Sequence, residues 1–212
     1  MSNQTKLDFY FSPFCPWAWR TALWMRQVAA ARDIDVTWKV FSLAEVNKDN
    51  PAYQTRLSMS QNAEMLHIAA RRHGGNEAIE RLYMAMGDIR HGQDRAPDED
   101  MFRESLRKAG LPEQLLDDIN RDSSIKEELL AEHTFAVEKL DGFGVPIIKL
   151  EDQEQAFFGP VVDPVPTGQE ALDLWDHTQW ILRKGYLFEY KRERHFRPGP
   201  QPVIDPRQAA TV

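Results

Sequence analysis

Cysteine is nearly absent: the 212-residue chain contains one, Cys15. An intramolecular disulfide is therefore excluded, and so is a structural zinc site built from several cysteines. Long apolar runs are also missing. No stretch approaches the roughly 20 residues needed to span a bilayer, so no membrane partner is expected. The opening residues, MSNQTKLDFYF, do not follow the basic, apolar, small-residue layout of a secretory signal, which makes a cytoplasmic location the expectation. Positive charge is not in excess. A net charge of −7 argues against a nucleic-acid partner gripped through its phosphates. The one basic cluster, Lys191 to Arg197 (KRERHFR), reads as a solvated face. The six histidines form no His-Glu-x-x-His pattern, so no metal is expected. No glycine-rich phosphate loop follows the first strand, so no nucleotide cofactor is expected either.

What is present is an ordered series of strand and helix signals. Lys6–Phe11 reads as a strand with Leu7, Phe9 and Phe11 on one face. The turn Ser12-Pro13-Phe14 leads to Cys15, and from Pro16 to about Arg32 the pattern is helical. Pro16 suits the first turn of a helix, where its missing N–H would be unbonded anyway. Val36–Ser42 is a second strand, which completes a βαβ unit with parallel strands and a right-handed crossover. An all-helical stretch follows. Gln61–Arg72 and Asn76–Arg90 are separated by Gly74-Gly75, and Asp98–Ala109 ends at Gly110 as a C-terminal cap. Pro112–Asn120 is short, and Ser124 with Glu127 reads as a capping box for a helix reaching Leu140. Strand signal returns in 145–150 and Ala156–Val162, an antiparallel hairpin across Glu151–Gln155. Thr167 with Glu170 opens a last helix through Leu172, Trp175 and Leu182. Beyond Pro198 the composition predicts a flexible or surface-lying tail, 198–212.

The fold class is thus α/β, a thioredoxin fold (β-α-β then β-β-α) with a large all-helical insertion. Residues 1–50 and 141–190 make up a discontinuous thioredoxin-like domain, and 51–140 make up the insertion.

The informative stretch is Phe11 to Trp19, FSPFCPWAW. A cysteine at the mouth of a helix meets the positive end of the dipole and unpaired backbone N–H groups, and both favour its thiolate. It also lies just past the carboxyl end of the first strand, where open α/β sheets present ligand crevices. Cys15 is accordingly the candidate nucleophile, with the amides of Cys15–Ala18 stabilising its thiolate. Phe14, Pro16, Trp17 and Ala18 belong to the same binding turn. Trp17 is placed as a wall of the crevice, whereas Trp19 and Trp24 are assigned to the core. Val145-Pro146 opens the strand after the insertion and is expected to face the cysteine turn. A cis bond there would leave the preceding backbone free to pair with an extended thiol. Asn47 and Tyr53 follow the second strand, on the same sheet edge as Cys15, and are candidate hydrogen-bond donors. Turn chemistry for Asn47 and core packing for Tyr53 compete with that role. His67 and His91 are open as bases for Cys15, with neither assigned.

These residues resemble those of the thioredoxin-fold superfamily that contains the oxidoreductase DsbA, the kappa-class glutathione transferases and the hydroxychromene-carboxylate isomerases. Within it the chain most resembles the actinobacterial mycothiol-dependent nitroreductases. The likeness is carried by FYFSPFCPWAW, by Phe41-Ser42-Leu43-Ala44 with Asn47, and by Tyr83-Met84-Ala85-Met86-Gly87. It continues through Gly144-Val145-Pro146, Phe157-Phe158-Gly159-Pro160-Val161 and Leu174-Trp175-Asp176. The resemblance implies a low-molecular-weight thiol as co-substrate: mycothiol in an actinobacterium and glutathione elsewhere. One departure stands out. Ala18 occupies the position where relatives carry a second cysteine, so a dithiol cycle within one subunit is excluded.

The expected activity is that of a monothiol oxidoreductase or transferase. Cys15 attacks a mixed disulfide or small electrophile, and the small thiol resolves the product. A homodimer is compatible with this reading. Two alternatives stand beside it: an isomerase-like or kappa-transferase-like enzyme whose bound thiol does the chemistry, and a non-catalytic thioredoxin fold that binds a partner.

Overall fold

The computed structural model describes residues 4–189, 191–194 and 196–207. Strand β1 (Thr5–Phe11) is followed by helix α1 (Pro16–Ala31) and strand β2 (Ile34–Val40). Between β2 and the next strand come α2 (Leu43–Val46), a 3₁₀ turn (Pro51–Arg56), α3 (Leu57–Gly87), a π turn (Asp88–Gly92), α4 (Glu99–Ala109), α5 (Leu115–Arg121) and α6 (Ser123–Leu140). The chain then forms β3 (Ile147–Leu150), β4 (Phe157–Phe158) and α7 (Gly168–Leu182). The sheet order is β2-β1-β3-β4, with β1 parallel to β2 and the remaining neighbours antiparallel. Element order and sheet topology are those expected of an α/β thioredoxin arrangement.

Several local details differ from the expectation. The two helices around Gly74-Gly75 are one element, α3, broken by non-helical backbone at that pair; Gly75 has φ +68, a value that glycine adopts without a Cβ penalty. The cap of α6 is Asp122, whose carboxylate accepts from the Ser124 amide at 2.9 Å and the Ser124 hydroxyl at 2.6 Å. An ionised oxygen is the stronger acceptor, so it displaces the Ser124 box. At α7 Thr167 is the N-cap residue but makes no side-chain capping bond. Strand β4 is only two residues long, because Pro160 has no N–H to extend the ladder.

Central strand β1 is buried on both faces: Leu7, Phe9, Tyr10 and Phe11 are all buried. Helix α1 is held to α7 by Trp24, whose indole N–H donates to Ala171 O at 2.9 Å while its ring meets Trp175 at 6.3 Å. The helical block reaches the sheet through Tyr83 on α3, stacked on Phe11 at 3.8 Å. The same block covers the outer edge of β2. The Asn76 side chain accepts from Trp38 N at 2.8 Å and donates to Val36 O at 2.7 Å, as a neighbouring strand would. Further along, Glu132 accepts from Val40 N and is bonded to Arg71. An open edge that would template aggregation is thereby closed.

Of the two readings of the tail, the surface-lying one describes Gly199 to Val203, which is bonded along the surface. Arg20 donates to Gly199 O at 2.8 Å and Trp19 Nε1 to Gln201 O at 2.8 Å, while Gln201 N donates to His91 O at 2.7 Å. These buried donors would otherwise lack acceptors, which outweighs the polar, proline-rich composition. Residues 208–212, Tyr190 at the end of the expected domain, and His195 of the basic cluster lie outside the described residues.

Candidate active site

The cysteine turn is built by hydrogen bonds at both ends. Cys15 N donates to Ser12 O at 3.0 Å, and Trp19 N donates to Cys15 O at 3.1 Å, which starts α1. His91 from the helical block bonds Pro13 O through Nε2 at 2.9 Å. A carbonyl only accepts, so Nε2 carries the proton there and has no lone pair for the cysteine. Cys15 is itself the N-cap of α1, with extended backbone, and Pro16 follows in the first turn.

The sulfur sits between two backbone groups. Ala18 N donates to Sγ at 3.4 Å, and the thiol donates to Val145 O at 3.7 Å. The Val145–Pro146 bond is cis. Strand β3, paired to β1, thus sets the second wall of the site. Trp17 is half-buried. The Arg194 guanidinium lies 5.0 Å above its ring, and Phe196 meets it at 6.2 Å. Tyr53 shares a hydrogen bond with Ser60 and interacts electrostatically with Cys15.

Electrostatics run against the expected thiolate. Burial pushes the Cys15 thiol above its ordinary value, while the Ala18 and Trp17 amides and Arg194 pull it down. With 8% of the residue exposed, desolvation outweighs the helix start. The correction has a direct consequence. At pH 7 the native protein alkylates with iodoacetamide more slowly than the unfolded chain, and its rate rises at higher pH; a faster native rate would reverse this ranking of burial over amides.

The structure brings together Cys15, Trp17, Ala18, Val145, Pro146 and Tyr53. Pro16 stands in the first turn of α1, and Phe14 stacks on Phe102 of α4 at 6.4 Å. Asn47 closes its own turn, donating to Leu43 O at 2.8 Å, which is the competing role. His67 is buried with Nδ1 on Ala63 O at 2.7 Å, and burial lowers both His67 and His91 to about 4, so neither is charged near neutral pH.

Sequence reasoning missed Glu64, Ser12, Ser42, Ser60 and Arg194. Glu64 is fully buried on α3, with the hydroxyls of Ser12, Ser42 and Ser60 bonded to its carboxylate. The available signals were a charge inside the mostly apolar run from Ala63 to Ala70 and Ser60 one helical turn before it; nothing in the sequence pairs Glu64 with the distant Ser12 and Ser42. Two clefts of about 310 and 320 Å³ open elsewhere, around Arg26 and Glu80, and neither includes Cys15. Among the described residues no three metal-ligating side chains converge, and no helix is long and apolar enough to cross a membrane.

A family described as mycothiol-dependent nitroreductase Rv2466c matches residues 14–192, which contain Cys15, Trp17, Tyr53, Val145 and Pro146. The chain belongs to that family. Within known proteins it is similar to the uncharacterized protein Rv2286c of Mycobacterium tuberculosis (strain ATCC 25618 / H37Rv). The two are 31% identical over 196 residues, 90% of this chain and 83% of the relative. Among solved structures, 2-hydroxychromene-2-carboxylate isomerase superimposes with a TM-score of 0.59 at 15% identity, covering 82% of this chain and 94% of that one. The oxidoreductase DsbA from Xylella fastidiosa gives 0.56 at 14%, covering 85% and 86%. At these identities the two structures share the thioredoxin-like fold with this mycothiol-dependent nitroreductase family member, and the fold alone.

Proposed function

We propose that the protein is a monothiol oxidoreductase in which Cys15 is the nucleophile and a low-molecular-weight thiol resolves it. The observation that carries this reading is the placement of the lone sulfur, within reach of the first amides of α1 and of Val145 O beside Pro146. Membership of a family named for mycothiol supports that thiol; glutathione is the counterpart where mycothiol is not made.

The cycle balances without a second protein cysteine. The Cys15 thiolate attacks one sulfur of a mixed disulfide, forms a new S–S bond and expels the other sulfur as thiolate. The small thiol then attacks that half-bound sulfur, leaving as a disulfide and returning Cys15 to thiolate. A small electrophile can instead take two electrons from Cys15 and one small thiol, which end joined as a mixed disulfide. A second small thiol releases Cys15. A raised thiol pKa lowers the thiolate fraction but makes each thiolate a stronger nucleophile.

Trp17 and Tyr53 flank the thiol site, with Val145 and Pro146 of the β3 side forming its facing wall. Residues 51–140 act as the lid over the thioredoxin-like part, 1–50 with 141–190. Such a cycle belongs in a thiol-rich compartment, the cytoplasm.

One observation favours a second reading. Cys15 is buried and its S–H points at Val145 O, as suits a hydrogen-bond donor whose bound thiol cofactor does the chemistry, in a transferase or isomerase.

Intact-protein mass spectrometry with mycothiol disulfide or glutathione disulfide tests the proposal. A single adduct on native Cys15, discharged by the free thiol, is the expected result. Absence of the adduct from native protein, when the unfolded chain is modified, overturns it.

A further inference from the structure

The Glu64 carboxylate is fully buried, yet among the described residues no cation is bonded to it. Five donors hold it instead. Ser12 Oγ at 3.1 Å, Leu43 N at 2.9 Å, Ala44 N at 3.3 Å and Ser60 Oγ at 3.3 Å converge on Oε1, and Ser42 Oγ reaches Oε2 at 2.6 Å. These donors come from separate pieces of the site. Ser12 is in the cysteine turn, and its carbonyl accepts the Cys15 N–H. Ser42 caps α2, and Leu43 and Ala44 supply its first amides. Ser60 lies in α3 and is bonded to Tyr53. A neutral or apolar side chain would fill the space without the penalty of a desolvated charge, so packing alone does not account for a carboxylate here.

We propose that Glu64 is the positioning residue of the Cys15 site: its carboxylate clamps the cysteine turn, α2 and the Ser60–Tyr53 pair into one arrangement. The proposal rests on Cys15 being the reacting group.

The clamp has a sign with pH. Burial pushes the Glu64 carboxyl up to about 7, against the bonds from Ser42, Ala44, Ser12 and Leu43 that favour its charge. Below that value the acid carries a proton of its own into a ring of donors. The serine hydroxyls can turn round, but the Leu43 and Ala44 amides cannot, so the clamp loosens. The titratable and charged groups around it are few. Tyr53 and Arg56 lie on the 3₁₀ segment, Cys15 lies in the turn that the clamp holds, and His67 stands one turn further along α3. On α2, Glu45 is paired with Lys48.

The test uses the full-length chain and reads thiol-dependent turnover and iodoacetamide alkylation from pH 5.5 to 8.5, in wild type, Glu64→Gln and Ser12→Ala. Wild-type turnover should show an inflection near pH 7 besides that of the thiol. Glu64→Gln should remove it and lower turnover at pH 8 by about tenfold, the scale of a small misplacement of reacting groups. A carboxylate acting on the thiol only through its charge has the opposite sign, because its removal would favour the thiolate and speed both reactions. A Glu64→Gln rate that is higher, or that keeps the inflection, overturns the proposal. If Glu64→Gln fails to fold, Ser12→Ala decides. Loss of one donor should move the inflection to higher pH, and an unmoved inflection overturns the clamp. Wild type that is alkylated with the inflection but turns over no thiol refutes the monothiol cycle and leaves the clamp standing.

Discussion

Cys15→Ser lowers thiol-dependent turnover by on the order of a thousandfold or more, because the hydroxyl is a far weaker nucleophile than the thiol. The substitution is informative for a geometric reason. A serine hydroxyl can still cap α1 by accepting from Ala18 N, while the 3.7 Å contact to Val145 O is one only the larger sulfur spans, so the substitution keeps the helix start and shortens the reach of the side chain. Nucleophilicity is the main property removed. Steady-state rates with mycothiol and with glutathione check it. Activity kept within about fivefold, the worth of one neutral hydrogen bond of roughly 1 kcal/mol, would sink the nucleophile reading. It would favour a bound thiol cofactor doing the chemistry, with residue 15 as a donor to it.

The largest expected effect on stability comes from Gly87→Ala. A Cβ at this position would lie 2.2 Å from Trp19 Cζ3, 2.4 Å from Cε3 and 2.7 Å from Cη2. Trp19 has nowhere to go. It is fully buried, its indole N–H is bonded to Gln201 O at 2.8 Å, and Tyr83 and His91 pack on its ring at 5.6 and 5.9 Å. The cost should be about 3 kcal/mol, the upper part of the range for overpacked cores, which lowers the melting temperature by about 6–12 °C for a chain of this size. Urea denaturation measures the first figure and calorimetry the second. Gly185→Ala is the control, since a Cβ there meets nothing within 4 Å. Equal stability of the two variants would mean that α1 and α3 do not meet as closely as Trp19 and Gly87 do here. Because His91 follows Gly87 by one turn and bonds Pro13 O, a shift of α3 should also reach the cysteine turn.

Strand and helix order could be read directly, because alternation, glycine stops and the proline after Cys15 are local signals. Leu7, Phe9 and Phe11 alternate as a strand does, and Gly110 ends α4 in the left-handed conformation expected of a C-cap. The missing second cysteine was equally plain, since Ala18 stands in the chain whatever the fold.

The chain by itself therefore determined the fold class, the lone cysteine proposed as nucleophile and the exclusion of a dithiol cycle. Tertiary structure alone decided three further matters. Cys15 proved to be buried, and desolvation depends on what covers a group rather than on its position in a motif, so the thiol shifted up where the helix start argued for down. Asn47 turned back on Leu43 O of its own helix and Tyr53 toward Ser60, a choice between local partners and the cysteine edge that the residue pattern leaves open. Glu64 met Ser12 and Ser42 from two other parts of the chain besides Ser60 of its own helix, because a buried charge must gather donors wherever the fold brings them.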